Sequence, residues 1–485
     1  MPVNPIIKHA FTSFLLSPIK SNENMLLMKL FLQKWLPRAA YLFLFIYAIK
    51  FHVSSSEFWP MTISKTWLDF PHFETSLLQK LLFGLFLAVF HTIPLNDVNH
   101  VWFVKSIFAL IGLGTLKYFI EYLKNEFKLS AWLHCSIYLL FLSPTLLSNF
   151  FRIRSDQFGL FFFVFALHFA TIKKEKASFG ALFLLLLTSA KSALFFVGGF
   201  CLLYPKAAIH FRKLTYVNRI YVATGTLATF IWLSALNLHA LHYYLDSWEA
   251  TRSYLIIFYN YFYIEWPLLL FSFFVSLNFL FYHKQFRASA FSAFSFFVLL
   301  FLMPQALPFF MASLIPFLYT PLLLFFGSSA IASKEKKALL AALVILQTLN
   351  LTYQHQNKRF LFYSENTQQI DFINSTSLFM QRHPMFYLDG MGSLPRQNFI
   401  PCFVSPEDEE ANAFCQQELK TKHPEMVIIT QRLLGLGQIV FDSVQLDYVQ
   451  IRPNVWVHKN KMKDIKADEI NVLRGQIPMF IFNYE

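Results

Sequence analysis

The chain has 485 residues, of which 56% are hydrophobic and 14% charged, with 61 Phe and a formal net charge of +13; its mean hydropathy is +0.45. A soluble domain carries about 25% charged residues, so an ordinary soluble protein is excluded, and four cysteines exclude a disulfide-built scaffold. What remains is a polytopic membrane protein, in which apolar stretches of about 20 residues cross a bilayer core about 30 Å thick and the positive charge reports topology.

The first apolar stretch is residues 39–53. Before it stand Lys8, Lys20, Lys29, Lys34 and Arg38 against the single acid Glu23, which puts the N-terminus in the cytoplasm. Residues 1–38 read as a cytoplasmic segment, with an amphipathic helix on the membrane surface at 25–35. No small-residue cleavage site follows 39–53, so the stretch reads as a retained anchor.

Further apolar stretches follow at 76–95, 100–122, 129–150, 158–172, 178–190, 192–204, 218–238, 264–282, 288–303, 306–327 and 338–353. Were all of them spans, the basic clusters Lys173-Lys174-Lys176, Arg212-Lys213 and Lys284-Arg287 would face outward. Laying 76–95, which contains Lys80, His91 and Pro94, along the outer surface returns every cluster to the cytoplasm. The predicted domain, residues 1–353, is then α-helical with about eleven spans, and residues 54–99 form a first outer loop with a juxtamembrane helix. The cytoplasmic pieces carry 18 Lys and Arg against four acids. The positive excess is thereby spent on topology, and a nucleic-acid surface is not expected. The sequence shows neither inverted repeats nor broken helices.

Past residue 353 charges become frequent. Residues 354–485 read as an extracytoplasmic α/β domain with helices at 368–381 and 407–421, strands at 385–388 and 426–430, and a hairpin of 448–452 with 455–458 about Pro453-Asn454. Cys402 and Cys415 stand close enough in sequence for one disulfide there, whereas Cys135 and Cys201 fall in apolar stretches.

Motifs of soluble enzymes are lacking: no phosphate loop, CxxC pair, HExxH or GxSxG occurs. The informative residues are charges at the outer boundary, where ionisable groups are costly. Glu57 follows the first span, with Asp69 beyond it. A carboxylate there can take a proton from an acceptor hydroxyl, or simply face water beside Trp59. Arg152, Arg154 and Asp156 lie between two spans. Their guanidiniums suit a phosphate, and Asp156 either orients Arg154 or shares acid–base work; equally, the pair caps the following helix. Lys191 interrupts a long apolar run and adds a cation at the outer face, or snorkels from a helix end. The outer loop after the seventh span carries His239, His242, Tyr243, Tyr244, Asp246, Trp248, Glu249 and Glu265, a mixture of rings and acids fit to stack a sugar. His239, His242 and Asp246 offer ligands to a divalent metal, although two boundary histidines are more often interfacial hydrogen-bonders.

Taken in order, these features resemble the GT-C superfamily of integral-membrane glycosyltransferases, in the branch with the protein O-mannosyltransferases and the lipid A aminoarabinose transferase. The resemblance rests on an acid after the first span followed by a surface helix, on Arg154-Ser155-Asp156, on Lys191, and on a terminal α/β domain. Ser56-Glu57 stands where that family has Asp or Asp-Glu. The resemblance implies a GT-C-like fold and transfer of a sugar from a polyprenyl-phosphate donor to a lipid, glycan or protein hydroxyl at the outer face, in the inner membrane of a cell envelope. It implies Glu57 as base, Asp156 as an orienting or second acid, and Arg152, Arg154 and Lys191 on the lipid phosphate. Asp69, His242, Asp246, Trp248 and Glu249 are the further cleft residues. The alternative function is a transporter or lipid-linked-sugar flippase; a sugar-polymer ligase would share the donor chemistry.

Overall fold

The computed structural model describes residues 38–46, 81–93, 95, 97–127, 140, 142–188, 199, 202, 264–302, 312–328, 333–356, 385–388, 399–402, 413, 417, 420–421, 423, 425–429, 446–452 and 455–464. The chain divides into two compact units, Met1–Tyr47 and Ala48–Glu485. In the first, residues 38–46 are helical.

In the second unit α1 (Leu81–His91), α2 (Asp97–Phe127), α3 (Pro144–Asn149), α4 (Ser155–Thr171) and α5 (Glu175–Thr188) come first. After them come α6 (Ile264–Tyr282), α7 (Arg287–Leu302), α8 (Ile315–Leu318), α9 (Thr320–Gly327) and α10 (Ser333–Gln356). Among the described residues two stretches are long and apolar enough to cross a membrane, Trp102–Phe127 with 26 residues and Ile264–Tyr282 with 19.

Phenylalanine rings do much of the packing. Phe90 meets Phe103 at 5.8 Å and Phe83 meets Phe108 at 5.9 Å, so α1 runs antiparallel beside the start of α2 rather than across its end. Its eleven residues reach about 16 Å, half of a bilayer core. Between α2 and α4 the ring pairs are Phe108 with Phe158 and Tyr118 with Phe165, which sets these helices parallel.

The turns fall where the basic clusters are. Between α4 and α5 the chain reverses at Ile172–Lys174, with Lys173 in the left-handed region at φ 61° and Lys174 N–H donating to Phe169 O at 2.9 Å. Ser178 Oγ donates to Ala166 O at 2.9 Å, fastening the hairpin. A single 3-10 turn, Lys284–Phe286, joins α6 to α7. There Arg287 Nε donates to Leu280 O at 2.9 Å, placing a cation on the carbonyl end of α6.

Two expected continuous spans are interrupted. In 129–150 the chain breaks at Ser143, which is extended (φ −74°, ψ 115°) and caps α3 by accepting from Leu146 N–H at 3.1 Å. The cause is local: the residue before a proline avoids the helical region, while Ser at the cap and Pro at the first helical position favour a new start. In 306–327 the helix is kinked at Tyr319, between α8 and α9. Pro321 has no N–H to give to the carbonyl of Phe317, and Thr320 Oγ1 donates to Pro316 O at 2.9 Å. The expectation of unbroken helices is therefore corrected. The expected loop at 151–157 is also shorter, since α4 begins at Ser155.

Near the other end of the chain five strands form one sheet in the order β2-β1-β3-β5-β4. They are β1 (Met385–Leu388), β2 (Phe399–Cys402), β3 (Met426–Ile429), β4 (Tyr448–Arg452) and β5 (Val455–His458). β1 pairs in parallel with both β2 and β3, while β3–β5 and β4–β5 are antiparallel. The expected strands and hairpin are present; β2 was not expected. Residues 413, 417, 420 and 421 are helical within the expected helix 407–421, whereas the expected helix 368–381 lies outside the described residues. Tyr448 is buried, and that burial, with the Asp447 charge adding, pushes its phenol above its ordinary value.

Candidate functional site

Residues 150–154, Phe-Phe-Arg-Ile-Arg, connect α3 to α4. Phe150, Phe151 and Ile153 are buried and anchor the connection. Gly112 of α2 makes room for it, because a Cβ at that position would stand 2.8 Å from Phe151 Cδ1 and 3.4 Å from Phe150 Cε1. The arginines are carried between these apolar anchors. Arg152 is half-buried, and Arg154, extended at φ −144°, is the residue from which α4 starts.

Asp156 lies in the first turn of α4 and is buried. Arg154 donates to its Oδ2 from Nη2 at 3.0 Å and from Nε at 3.3 Å. The carboxylate thus faces both a guanidinium and the positive end of a helix. This is the local pair that the sequence offers as one of its two readings, and it fixes the guanidinium plane at the end of α4. Beside it, Gln157 is buried, and its Nε2 has no hydrogen-bond partner among the described residues.

A second polar cluster gathers around Glu265, in the first turn of α6. Its side chain is fully buried, not part of an exposed sugar-stacking wall as the sequence suggests. Oε1 accepts from Ser143 Oγ at 2.6 Å and from Thr145 N–H at 2.7 Å, and Oε2 accepts from Tyr319 Oη at 2.7 Å. One carboxylate therefore ties α6 to the break before α3 and to the kink between α8 and α9. From α10, Gln347 Nε2 donates to Leu142 O at 2.8 Å and Asn350 Nδ2 to Ile264 O at 2.9 Å. These amides occupy carbonyls beside the two polar residues that begin the cluster. Among the described residues Glu265 has no cationic partner; hydroxyls and one amide carry the whole of its solvation.

Of the site residues expected from sequence, Arg152, Arg154 and Asp156 are brought together at one connection. Glu57, Asp69, Lys191, His239, His242, Asp246, Trp248 and Glu249 lie outside the described residues. Among the described residues no three His, Cys, Asp or Glu gather as a metal site. Sequence reasoning missed the roles of Ser143, Tyr319 and Glu265 and the buried Lys105. Ser143-Pro144 was the available signal for the first. Comparison with protein-family models, with curated proteins and with solved structures found no match.

Proposed function

We propose that the chain is a polytopic membrane glycosyltransferase, moving a sugar from a polyprenyl-phosphate carrier to a hydroxyl acceptor on a lipid, glycan or protein at the outer face. In this reading the helices form a GT-C-like bundle of about eleven spans, and the sheet-containing residues 354–485 lie outside. The observation that carries it is the arginine connection: two guanidiniums and a buried carboxylate held by Phe150, Phe151 and Ile153 between apolar helices. A charged group held in so apolar a place is retained for a ligand more often than for stability. Embedding in lipid is supported by the outward faces of the helices, where Leu110, Phe183, Phe274, Phe291, Val298 and Ile345 are all exposed. Against water such a surface would cost about 25 cal/mol per Å²; against lipid tails it costs nothing.

The acceptor oxygen attacks the anomeric carbon while Glu57 takes its proton. The bond from that carbon to the phosphate oxygen breaks, the electron pair leaves with the lipid phosphate, and Arg152, Arg154 and Lys191 offset the charge. Asp156 orients Arg154. Glu57→Gln and Arg154→Ala are each expected to lower transfer by about 10² or more while the protein still elutes as a folded species. Full transfer in both variants would end the assignment.

A second reading, a transporter or flippase, is favoured by one observation: the break at Ser143 and the kink at Tyr319 meet on the buried Glu265, an arrangement suited to a gated path. Glu265→Gln would then stop movement of a lipid-linked sugar between leaflets without any covalent transfer to measure.

A further inference from the structure

Positive charge gathers at the C-terminal end of α2. There Glu121 Oε2 stands 3.9 Å from His168 Nε2 of α4, and Phe127 packs on Phe286 of the α6–α7 turn at 5.9 Å. The end of α2 is therefore flanked on one side by the α4–α5 turn and the start of α5, with Lys173, Lys174 and Lys176, and on the other by Lys284 and Arg287. In residues 117–127, 172–178 and 283–287 together, seven Lys and Arg stand against three acids, Glu121, Glu126 and Glu175. Lys117, Lys124, Lys173, Lys174, Lys176 and Lys284 are all exposed.

The helical repeat of α2, about 100° per residue, places its two lysines. Glu121 faces α4 and Phe127 faces the α6–α7 turn; Lys124 projects about 60° from each, in the interval between them. Two turns back, Lys117 lies within about 20° of Lys124. The same seven-residue step continues to Leu110 and Phe103, which are 58% and 39% exposed. Phe103, Leu110, Lys117 and Lys124 thus form one outward stripe, apolar in its first half and cationic in its second. Lys117 lies inside the stretch Trp102–Phe127 that is apolar enough to cross a membrane. A topological bias asks for cations on the loops, whereas a lysine on the outward face of the span itself calls for an anion at headgroup depth. Its amine is 5.9 Å from the centre of the Tyr118 ring, a weak attraction for a full charge. Among the described residues neither Lys117 nor Lys124 forms an ion pair.

We infer that this stripe binds an anionic phospholipid of the bilayer, with the phosphate on Lys117 and Lys124 between the two basic turns and an acyl chain over Leu110 and Phe103. The dimensions agree. From Phe103 to Lys117 the helix rises about 21 Å, enough to carry one chain through a leaflet whose apolar part is about 15 Å deep. Charge complementarity selects the headgroup: a zwitterionic lipid brings its own ammonium, which the lysines repel, while a glycerol headgroup leaves the negative charge of the phosphate uncompensated. The site lies at the opposite end of α4 from Arg154 and is separate from the arginine connection. It requires embedding in a membrane and is independent of both the transferase and the flippase readings.

The test titrates the full chain, in micelles of a neutral detergent, with phosphatidylglycerol and with phosphatidylethanolamine of the same acyl chains, and counts bound lipid by native mass spectrometry. Wild type binds the first phosphatidylglycerol about tenfold or more tightly than phosphatidylethanolamine. Lys117→Gln and Lys124→Gln each cut that preference about threefold or more, and Lys124→Arg keeps it. Lys463→Gln removes the same charge from an exposed residue after the sheet and leaves the preference unchanged. Glycerol 3-phosphate, a headgroup without acyl chains, does not displace the lipid at equal concentration. Equal affinity for the two lipids, a wild-type preference in both glutamine variants, an equal loss in Lys463→Gln, or displacement by glycerol 3-phosphate each overturns the inference. Binding of neither lipid overturns it and counts against membrane embedding as well.

Discussion

Glu265 shows what a single side chain does in this bundle. Its two oxygens satisfy Ser143 Oγ, Thr145 N–H and Tyr319 Oη, donors that belong to two other chain segments. Leaving a buried donor without a partner costs about 1–3 kcal/mol, so Glu265→Ala is expected to destabilise the protein by on the order of 3 kcal/mol or more. Glu265→Gln keeps an acceptor for Ser143 and Thr145 and can donate to Tyr319 Oη, so its cost is smaller. Tyr319→Phe removes one bond and leaves one oxygen wanting, about 1–2 kcal/mol. The order Ala, then Gln or Phe, then wild type in melting temperature checks this; an alanine variant that melts with wild type would show that Glu265 ties nothing together.

Among the elements, two single residues carry specific loads. Lys173 holds a left-handed φ of 61° in the turn between α4 and α5, a conformation that costs an L residue about 1 kcal/mol and glycine nothing. Lys173→Gly should therefore stabilise, visible as a higher unfolding midpoint. Gly112 works in the opposite sense, because a methyl there meets the buried ring of Phe151 at 2.8 Å. Gly112→Ala is expected to cost about 1–3 kcal/mol and to displace the connection that carries Arg152 and Arg154, with transfer falling further than stability alone explains. Equal transfer and melting in Gly112→Ala would contradict that packing.

What was legible in the sequence also sorts by element. The apolar periodicity and the basic clusters located the turns at 172–174 and 283–286, since several Lys and Arg close together mark the ends of apolar helices. Alternation of β-branched and aromatic residues located β1, β3 and the β4–β5 hairpin. Ser143-Pro144 and Pro321 were just as visible, but apolar length overrode them, and the interruption of two helices went unread. β2, four residues with Pro401 inside, has too little pattern to register alone. At the candidate site, Arg154 and Asp156 are neighbours in sequence and their pairing could be read directly. Gly112 meets that connection only through the packing of α2 against it, which no local pattern encodes.

For the whole molecule, the reading assigns a side to every turn. In a variant lacking the native cysteines, single cysteines at Lys174 and Lys284 should resist a membrane-impermeant thiol reagent added to intact cells. A cysteine at Lys463, exposed just after the sheet, should label at once. The reverse pattern would invert the topology and take the arginine connection away from the outer face. The reaction itself is tested most directly by incubating the purified protein in lipid vesicles with a panel of radiolabelled polyprenyl-monophosphate sugars and an envelope extract as acceptor, measuring free polyprenyl phosphate and labelled product. Wild type should release the lipid phosphate from at least one donor in step with sugar transfer, with Arg154→Ala releasing less by about 10² or more; no release from any donor, or equal release by Arg154→Ala, would contradict it.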